Sequence, residues 1–257
     1  VEEDKRIMAY TIAIANQKGG VGKTTTAVSL AHGLALRDRR ILLVDFDPQG
    51  QCATSLAINP EPGVFNALIN SRSGIQQWVR ETTRAGLDLL PGDRSTATAQ
   101  IVINAENQPI ALIHLLLMPL SKNYDYVIFD TAPSVGGIQE RAIYAADVVL
   151  IPTATEFLPM DGLAQMMELL GILKANWHWS GKLLGILPTF YDEQTKESHR
   201  SLADLRAGFG ESILNPIHRA TVVRECAAEG KTIFEMAPAS RAACEYEELA
   251  DLVMKRL

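Results

Sequence analysis

From Asn16 to Thr25 the chain reads Asn-Gln-Lys-Gly-Gly-Val-Gly-Lys-Thr-Thr. Glycines crowded just ahead of a lysine and a hydroxyl suit one kind of chemistry, the holding of phosphate. Without side chains in the way, successive backbone N–H groups can curl around phosphate oxygens, and a helix beginning there adds its positive end. In such a loop Lys23 reaches the β- and γ-phosphates of ATP, and the Thr24 hydroxyl ligates Mg²⁺. Gly19, Gly20, Val21, Gly22 and Thr25 complete the cradle. The simpler reading is a glycine turn between strand and helix, but such a turn does not require Gly-Lys-Thr directly after an aliphatic run.

Two acidic segments could serve the same ligand. Val44-Asp45-Phe46-Asp47-Pro48-Gln49-Gly50 closes a short apolar run. Carboxylates at the C-terminal end of a strand face the crevice where open α/β sheets bind their ligands. If the backbone stays extended, Asp45 and Asp47 fall on one side. Tyr126-Val127-Ile128-Phe129-Asp130 is a second hydrophobic strand ending in an acid, and Asp130 is placed to orient the shell of a Mg²⁺ ion.

These residues need elements to position them. Short aliphatic runs at Tyr10–Ala15, Ile41–Asp45, Leu87–Leu90, Tyr126–Asp130, Val148–Pro152 and Leu183–Leu187 read as buried strands. Helical periodicity is expected over Thr24–Leu36, Ile110–Leu120, Ile138–Ala145, Gly162–Ala175, Ser198–Phe209 and Arg241–Leu257. Alternation of this kind predicts a doubly wound α/β fold, a mostly parallel sheet flanked by helices. No linker divides residues 1–257, so a single domain is expected, with 1–9 a leader ahead of the first strand. Residues 59–107 are the least regular, and loops with short helices are expected there.

The bulk composition bounds the function. The 257 residues are 47% hydrophobic and 21% charged, which is ordinary for a globular protein. No apolar run approaches the roughly 20 residues of a bilayer crossing, and no secretory signal is evident. Cys52, Cys226 and Cys244 are scattered, with no metal-binding or disulfide spacing, and read as reduced thiols of a cytoplasmic protein. A net charge of −6 confines any nucleic-acid contact to a local patch.

The phosphate loop departs from the usual GxxxxGK[ST] pattern. Its first glycine would fall at Gln17, and a lysine, Lys18, stands before Gly19. KGGVGKT thereby resembles the deviant loop of the ParA/MinD/nitrogenase-iron-protein class of ATPases. The resemblance implies that Lys18 crosses a dimer interface to the partner's nucleotide and that Gly19 permits the close approach. VDFDPQG is similar to the first switch of partition ATPases, which implies that Asp47 positions the attacking water and Asp45 holds a Mg²⁺-bound water. Asp130-Thr131-Ala132-Pro133-Ser134 resembles the second switch. Pro188 and Thr189 fall where the class holds adenine, although Leu-Pro-Thr is equally an ordinary strand exit.

Within the class the chain is most similar to the small ParA/Soj partition ATPases. The segment Pro216-Ile217-His218-Arg219-Ala220-Thr221-Val222-Val223-Arg224 is similar to the stretch whose basic residues hold DNA without sequence preference, which implies DNA contacts at Arg219 and Arg224. Between Arg200 and Lys231, however, five basic residues face four acidic ones, so a mixed solvated surface is the alternative. The resemblance further implies a homodimer closed by ATP, a ParB-like partner that stimulates hydrolysis, and association with the nucleoid. With few residues ahead of the first strand, an arm that reads an operator is not expected. A MinD-like membrane cycle, or the positioning of another cargo, is the rival reading. The apolar stripe Tyr246, Leu249, Ala250, Val253 and Leu257 could face lipid, but Glu245, Glu247, Glu248 and Asp251 opposite it would repel an anionic surface, so packing into the core is expected.

Overall fold

The computed structural model describes residues 8–70, 74–133, 137–156 and 160–257. The leader at 1–7 and Ser134 of the second-switch motif lie outside them. The strands are β1 (Tyr10–Ile14), β2 (Ile41–Asp45), β3 (Arg80–Glu81), β4 (Leu87–Leu90), β5 (Tyr126–Asp130), β6 (Val148–Ala154) and β7 (Lys182–Thr189). Helix α1 (Lys23–Ala35) follows β1, and α2 (Gln51–Ser55) and α3 (Gly63–Ile69) follow β2. Next come α4 (Ser95–Ala105), α5 (Leu112–Leu117), α6 (Ile138–Ala145) and α7 (Met160–Trp177). After β7 run α8 (Lys196–Phe209), α9 (Thr221–Ala228), α10 (Ile233–Met236) and α11 (Arg241–Arg256).

The strands form one sheet in the order β3-β4-β2-β5-β1-β6-β7, parallel except for the antiparallel edge pair β3–β4. The order in which strands are added reverses about β1: β2 lies to one side of it, beyond β5, and β6 and β7 lie to the other. This is the kind of switch point at which the loops leaving the strands open a crevice. Register then sets the chemistry. Ile14 of β1 and Asp45 of β2 both stand opposite Asp130 of β5.

Alternation along each strand feeds two cores. Ala13, Leu42, Val44, Val127 and Phe129 pack toward α3 to α7, whereas Ile12, Ile14, Ile41, Leu43 and Ile128 pack toward α1 and α9 to α11. The stripe on α11 is part of the second core, with Tyr246, Leu249, Ala250 and Val253 buried beside α1. Packing, not lipid contact, accounts for that stripe. No helix among the described residues is long and apolar enough to cross a membrane.

The six expected strands are all present. The region expected to be irregular holds β3, α3 and the eleven-residue α4, and α9 and α10 appear where no helix was foreseen. In α4 the buried positions are Thr96, Ala99 and Ile103, and in α9 only Cys226, while β3 and α10 span just two and four residues, too short to show a period.

A polar cluster ties the β4 edge to the C-terminal helices. The Arg84 guanidinium donates to Glu235 Oε2 from Nε at 3.1 Å and from Nη2 at 2.8 Å, and to the carbonyls of Leu56 and Gly230. Glu235 in turn accepts from the Thr232 backbone N–H, closing a capping box on α10, and the Thr232 hydroxyl meets His32 Nδ1 of α1 at 2.7 Å. Arg84→Ala strips donors from all three acceptors. The expected loss is about 2–3 kcal/mol, below the roughly 3–5 kcal/mol for breaking a fully buried pair, because Glu235 keeps 32% side-chain exposure. Urea denaturation measures it; a midpoint equal to wild type would reduce the cluster to a solvated contact.

Candidate nucleotide site

The phosphate loop leaves β1 and is pinned from beneath. Asn16 is buried; its Nδ2 donates to the Pro152 carbonyl of β6 at 2.8 Å, and its Oδ1 accepts the Lys18 N–H at 2.9 Å. Gly22 adopts φ +84°, the left-handed turn that lets the chain enter α1 at once. No side chain caps this end, so the first N–H groups of a thirteen-residue helix face the loop's interior. The helix therefore presents both its positive end and open donors to an anion.

Lys23, at 7% exposure, points back into this loop and donates from Nζ to the Lys18 carbonyl at 2.9 Å. Burial lowers its pKa, against the opposing pull of the charges on Asp130 and Asp47. Lys18 itself is exposed at the surface of the loop, next to exposed Gly19 and Gly20. Gly19 also faces Pro133 of the second switch: a Cβ built at Gly19 would meet the proline ring at 3.9 Å.

Asp45 and Asp130 end neighbouring strands and are both buried. Asp45 accepts the Asp47 N–H at 3.0 Å and the Cys52 N–H at 3.1 Å, so the loop after β2 folds back over its carboxylate. Burial, seconded by the charge on Asp130, still raises its pKa well above the usual carboxylate range. Asp130 is raised too, first by burial, with the neighbouring Thr24 hydroxyl opposing. Its Oδ2 accepts the Cys52 thiol at 3.4 Å, while Oδ1 is buried without a hydrogen-bond partner among the described residues. An orphaned carboxylate oxygen beside a second carboxylate and a threonine hydroxyl is an oxygen-rich donor set that fits Mg²⁺.

Asp47 lies past the end of β2, half-buried, with Oδ1 accepting the Gln49 N–H at 2.9 Å. The strand stops at Asp45, so extended geometry does not carry Asp47 to its position. The turn does, and it keeps Asp47 near enough for its charge to act on both Lys23 and Asp130. Gly92, just beyond β4, supports this turn from below. A Cβ there would overlap the Asp45 carbonyl oxygen and approach that of Asp47 to 3.0 Å.

A cavity of about 350 Å³ opens beside the loop, walled by Gly22, Thr25, Thr189, Phe190, Arg219 and Arg224 among others. Thr189 closes its base, donating from Oγ1 to the Val21 carbonyl at 2.9 Å. Pro188 sits behind it, buried, with its carbonyl accepting the Ile217 N–H at 2.8 Å. This side of the cavity therefore comes from Thr189 and Phe190, with Pro188 as backing. Both arginines are exposed on the rim, and Arg219 forms an ion pair with Glu156. Their closeness to the phosphate loop was not legible from sequence. Nor were Phe190, held at φ +54°, and Cys52, which looked like one of three scattered thiols.

This geometry has counterparts. A family model described as an AAA domain matches residues 9–180. The chromosome-partitioning ATPase Soj of Thermus thermophilus is 37% identical over 253 residues, covering 98% of this chain and 98% of that protein. The chromosome partitioning protein ParA of Myxococcus xanthus is 36% identical over 250 residues, covering 95% and 88%. Among solved structures, the cobyrinic acid a,c-diamide synthase of Mycobacterium smegmatis, with bound ATP analog and magnesium, superposes with a TM-score of 0.83 at 30% identity, covering 96% of this chain and 95% of its own. Sequence identity across nearly the whole length, on a fold that carries the deviant phosphate loop, places the chain: it belongs to the ParA/Soj family of partitioning ATPases.

Proposed function

We propose that this chain binds ATP with Mg²⁺, closes into a homodimer around two nucleotides, and binds DNA without sequence preference until a ParB-like partner stimulates slow hydrolysis. The observation that carries the reading is the buried pair Asp45 and Asp130, with an orphaned oxygen, set where Lys23 and the open end of α1 converge. Burying two like charges is costly unless a cation and a polyanion are meant to meet there.

The division of labour follows from placement. The N–H groups from Gly19 to Thr25 hold phosphate oxygens, and Lys23 exchanges the Lys18 carbonyl for the β- and γ-phosphates. Thr24, Asp45 and Asp130 hold Mg²⁺ directly or through water, and the bound ion supplies charge neutralisation during phosphoryl transfer. Asp47, fixed by its turn, orients the attacking water. Lys18, exposed beside Gly19, reaches the partner subunit's nucleotide. Thr189 and Phe190 line the base, and Arg219 and Arg224 on the rim face DNA once two subunits present them together. Supporting this are the full-length similarity to partitioning proteins and the arginines' exposure. In this reading the protein acts in the cytoplasm at the nucleoid.

Lys23→Ala removes charge-assisted bonds to two phosphates, so ATP affinity should fall at least ~100-fold. Isothermal titration checks this; unchanged affinity would end the phosphate-loop assignment. Asp47→Ala with ATP should accumulate as a dimer, because closure proceeds while hydrolysis is blocked, and Lys18→Ala should not. Light scattering that found Asp47→Ala monomeric at saturating ATP would exclude the sandwich. For DNA, Arg224→Glu tests the rim without breaking the Arg219–Glu156 pair. In the Asp47→Ala background with ATP it should weaken binding to unrelated duplexes and flatten the salt dependence by roughly 2, one phosphate per subunit. A slope equal to the parent's removes Arg224 from the contact, and no retention of any duplex at low salt removes DNA from the function.

A further inference from the structure

Cys52 plays no part in the nucleotide reading, yet it sits inside that site. It is the second residue of α2, fully buried, and its Sγ lies 3.4 Å from Asp130 Oδ2. Donor atoms of Asp45, Cys52 and Asp130 all lie within 4.8 Å of one another. Zn–S and Zn–O bonds of about 2.3 and 2.1 Å at a tetrahedral angle put their donors about 3.6 Å apart. The observed sulfur–oxygen separation is close to that figure. The orphaned Asp130 Oδ1 points independently to a ligand, since a buried carboxylate oxygen with no donor is rare.

We infer that Asp45, Cys52 and Asp130 form a site for a thiophilic divalent cation, of the zinc and cadmium class, overlapping the position assigned to Mg²⁺. The inference rests on the carboxylate pair that the Mg²⁺ reading uses, and adds the thiol. Two carboxylates alone favour hard ions, and a thiolate among them shifts the preference to softer ones. Binding exchanges the thiol proton for the metal: the S–H bond breaks, the sulfur keeps the electron pair and donates it to the cation, and the proton leaves to solvent. No oxidant or reductant is involved. The fourth position is left to water or a phosphate oxygen. The ion would hold the loop of Asp47 against β5 through Cys52, and would compete with Mg²⁺ for both acids.

The test is Cd²⁺ titration of the full chain without nucleotide, read by the ultraviolet charge-transfer absorption of a Cd²⁺–thiolate bond. Cys244→Ser removes the exposed thiol and serves as parent. The parent should show a saturable band at one equivalent. Cys52→Ala in that background should lose it, Cys226→Ala should keep it, and Asp130→Asn should keep the thiol but weaken Cd²⁺ binding at least ~10-fold. Thermal melts of each variant establish folding, and Asp130→Asn leaves the thiol in place should Cys52→Ala fail to fold. An equal band in folded Cys52→Ala, unchanged Cd²⁺ affinity in Asp130→Asn, or no saturable band in the parent overturns the site. Calorimetry of Mg²⁺–ATP with wild type keeps the two readings apart. A Cd²⁺ band with no Mg²⁺–ATP heat costs the nucleotide reading alone, and the converse costs the thiol site alone.

Discussion

Two carboxylates buried side by side at the ends of β2 and β5 are the constraint around which this molecule is organised. Register leaves no choice about their meeting, because Asp45 stands opposite Asp130. Burial raises the pKa of both acids, that of Asp45 further through the charge on Asp130, and the fold answers with donors of different kinds. Asp45 receives two backbone N–H groups from the loop that follows it. Asp130 Oδ2 receives the Cys52 thiol, with the Thr24 hydroxyl nearby, and Oδ1 is left over among the described residues. The ammonium of Lys23 and the open end of α1 add a positive field. The protein thus stabilises each acid partly and leaves the pair short of a full complement.

Around that pair the structure is assembled mainly through the backbone. The phosphate loop is held at its start by Asn16 on the Pro152 carbonyl, and at its end by Thr189 on the Val21 carbonyl. The loop is therefore suspended between β6 and β7, while the second switch, leaving β5, faces it through Pro133. Three strands, β5 on one side of β1 and β6 and β7 on the other, contribute to one small turn. This is why a parallel sheet, slow to form and demanding in crossovers, suits such a site: all its strand ends arrive on the same edge.

Much of this could be read from the residues because the strongest signals are local. Gly-Lys-Thr after an aliphatic strand, and an aspartate closing each of two others, locate loop and acids without tertiary information. Six strands announced themselves as aliphatic runs, since strands buried on both faces have little polar alternation to blur them. The losses are also physical. Helix α4 buries threonine, alanine and a single isoleucine, and β3 spans two residues, so neither leaves a period to detect. Arg219 and Arg224 sit far along the chain from the phosphate loop, and only the return of the segment after β7, bonded at Tyr191 and Pro188, brings them to its cavity. Cys52 is a free thiol as expected, but its place beside the acids went unseen because spacing rules look for pairs of cysteines, whereas its neighbours here are aspartates on two strands.

The closeness of Gly92 to the Asp45 and Asp47 carbonyls bears on how this protein can change over generations. Contacts made by side chains can be traded: a lysine shortened here is replaced by an arginine reaching from there. The contact at position 92 is made by the absence of a side chain, and nothing smaller exists to compensate for a gain. Even alanine would lift the acidic strand end off its support and carry the turn of Asp47 with it. Substitutions around the site are therefore least costly at the rim and the cavity wall, where residues meet solvent or ligand, while any at position 92 must displace the backbone beneath the acids.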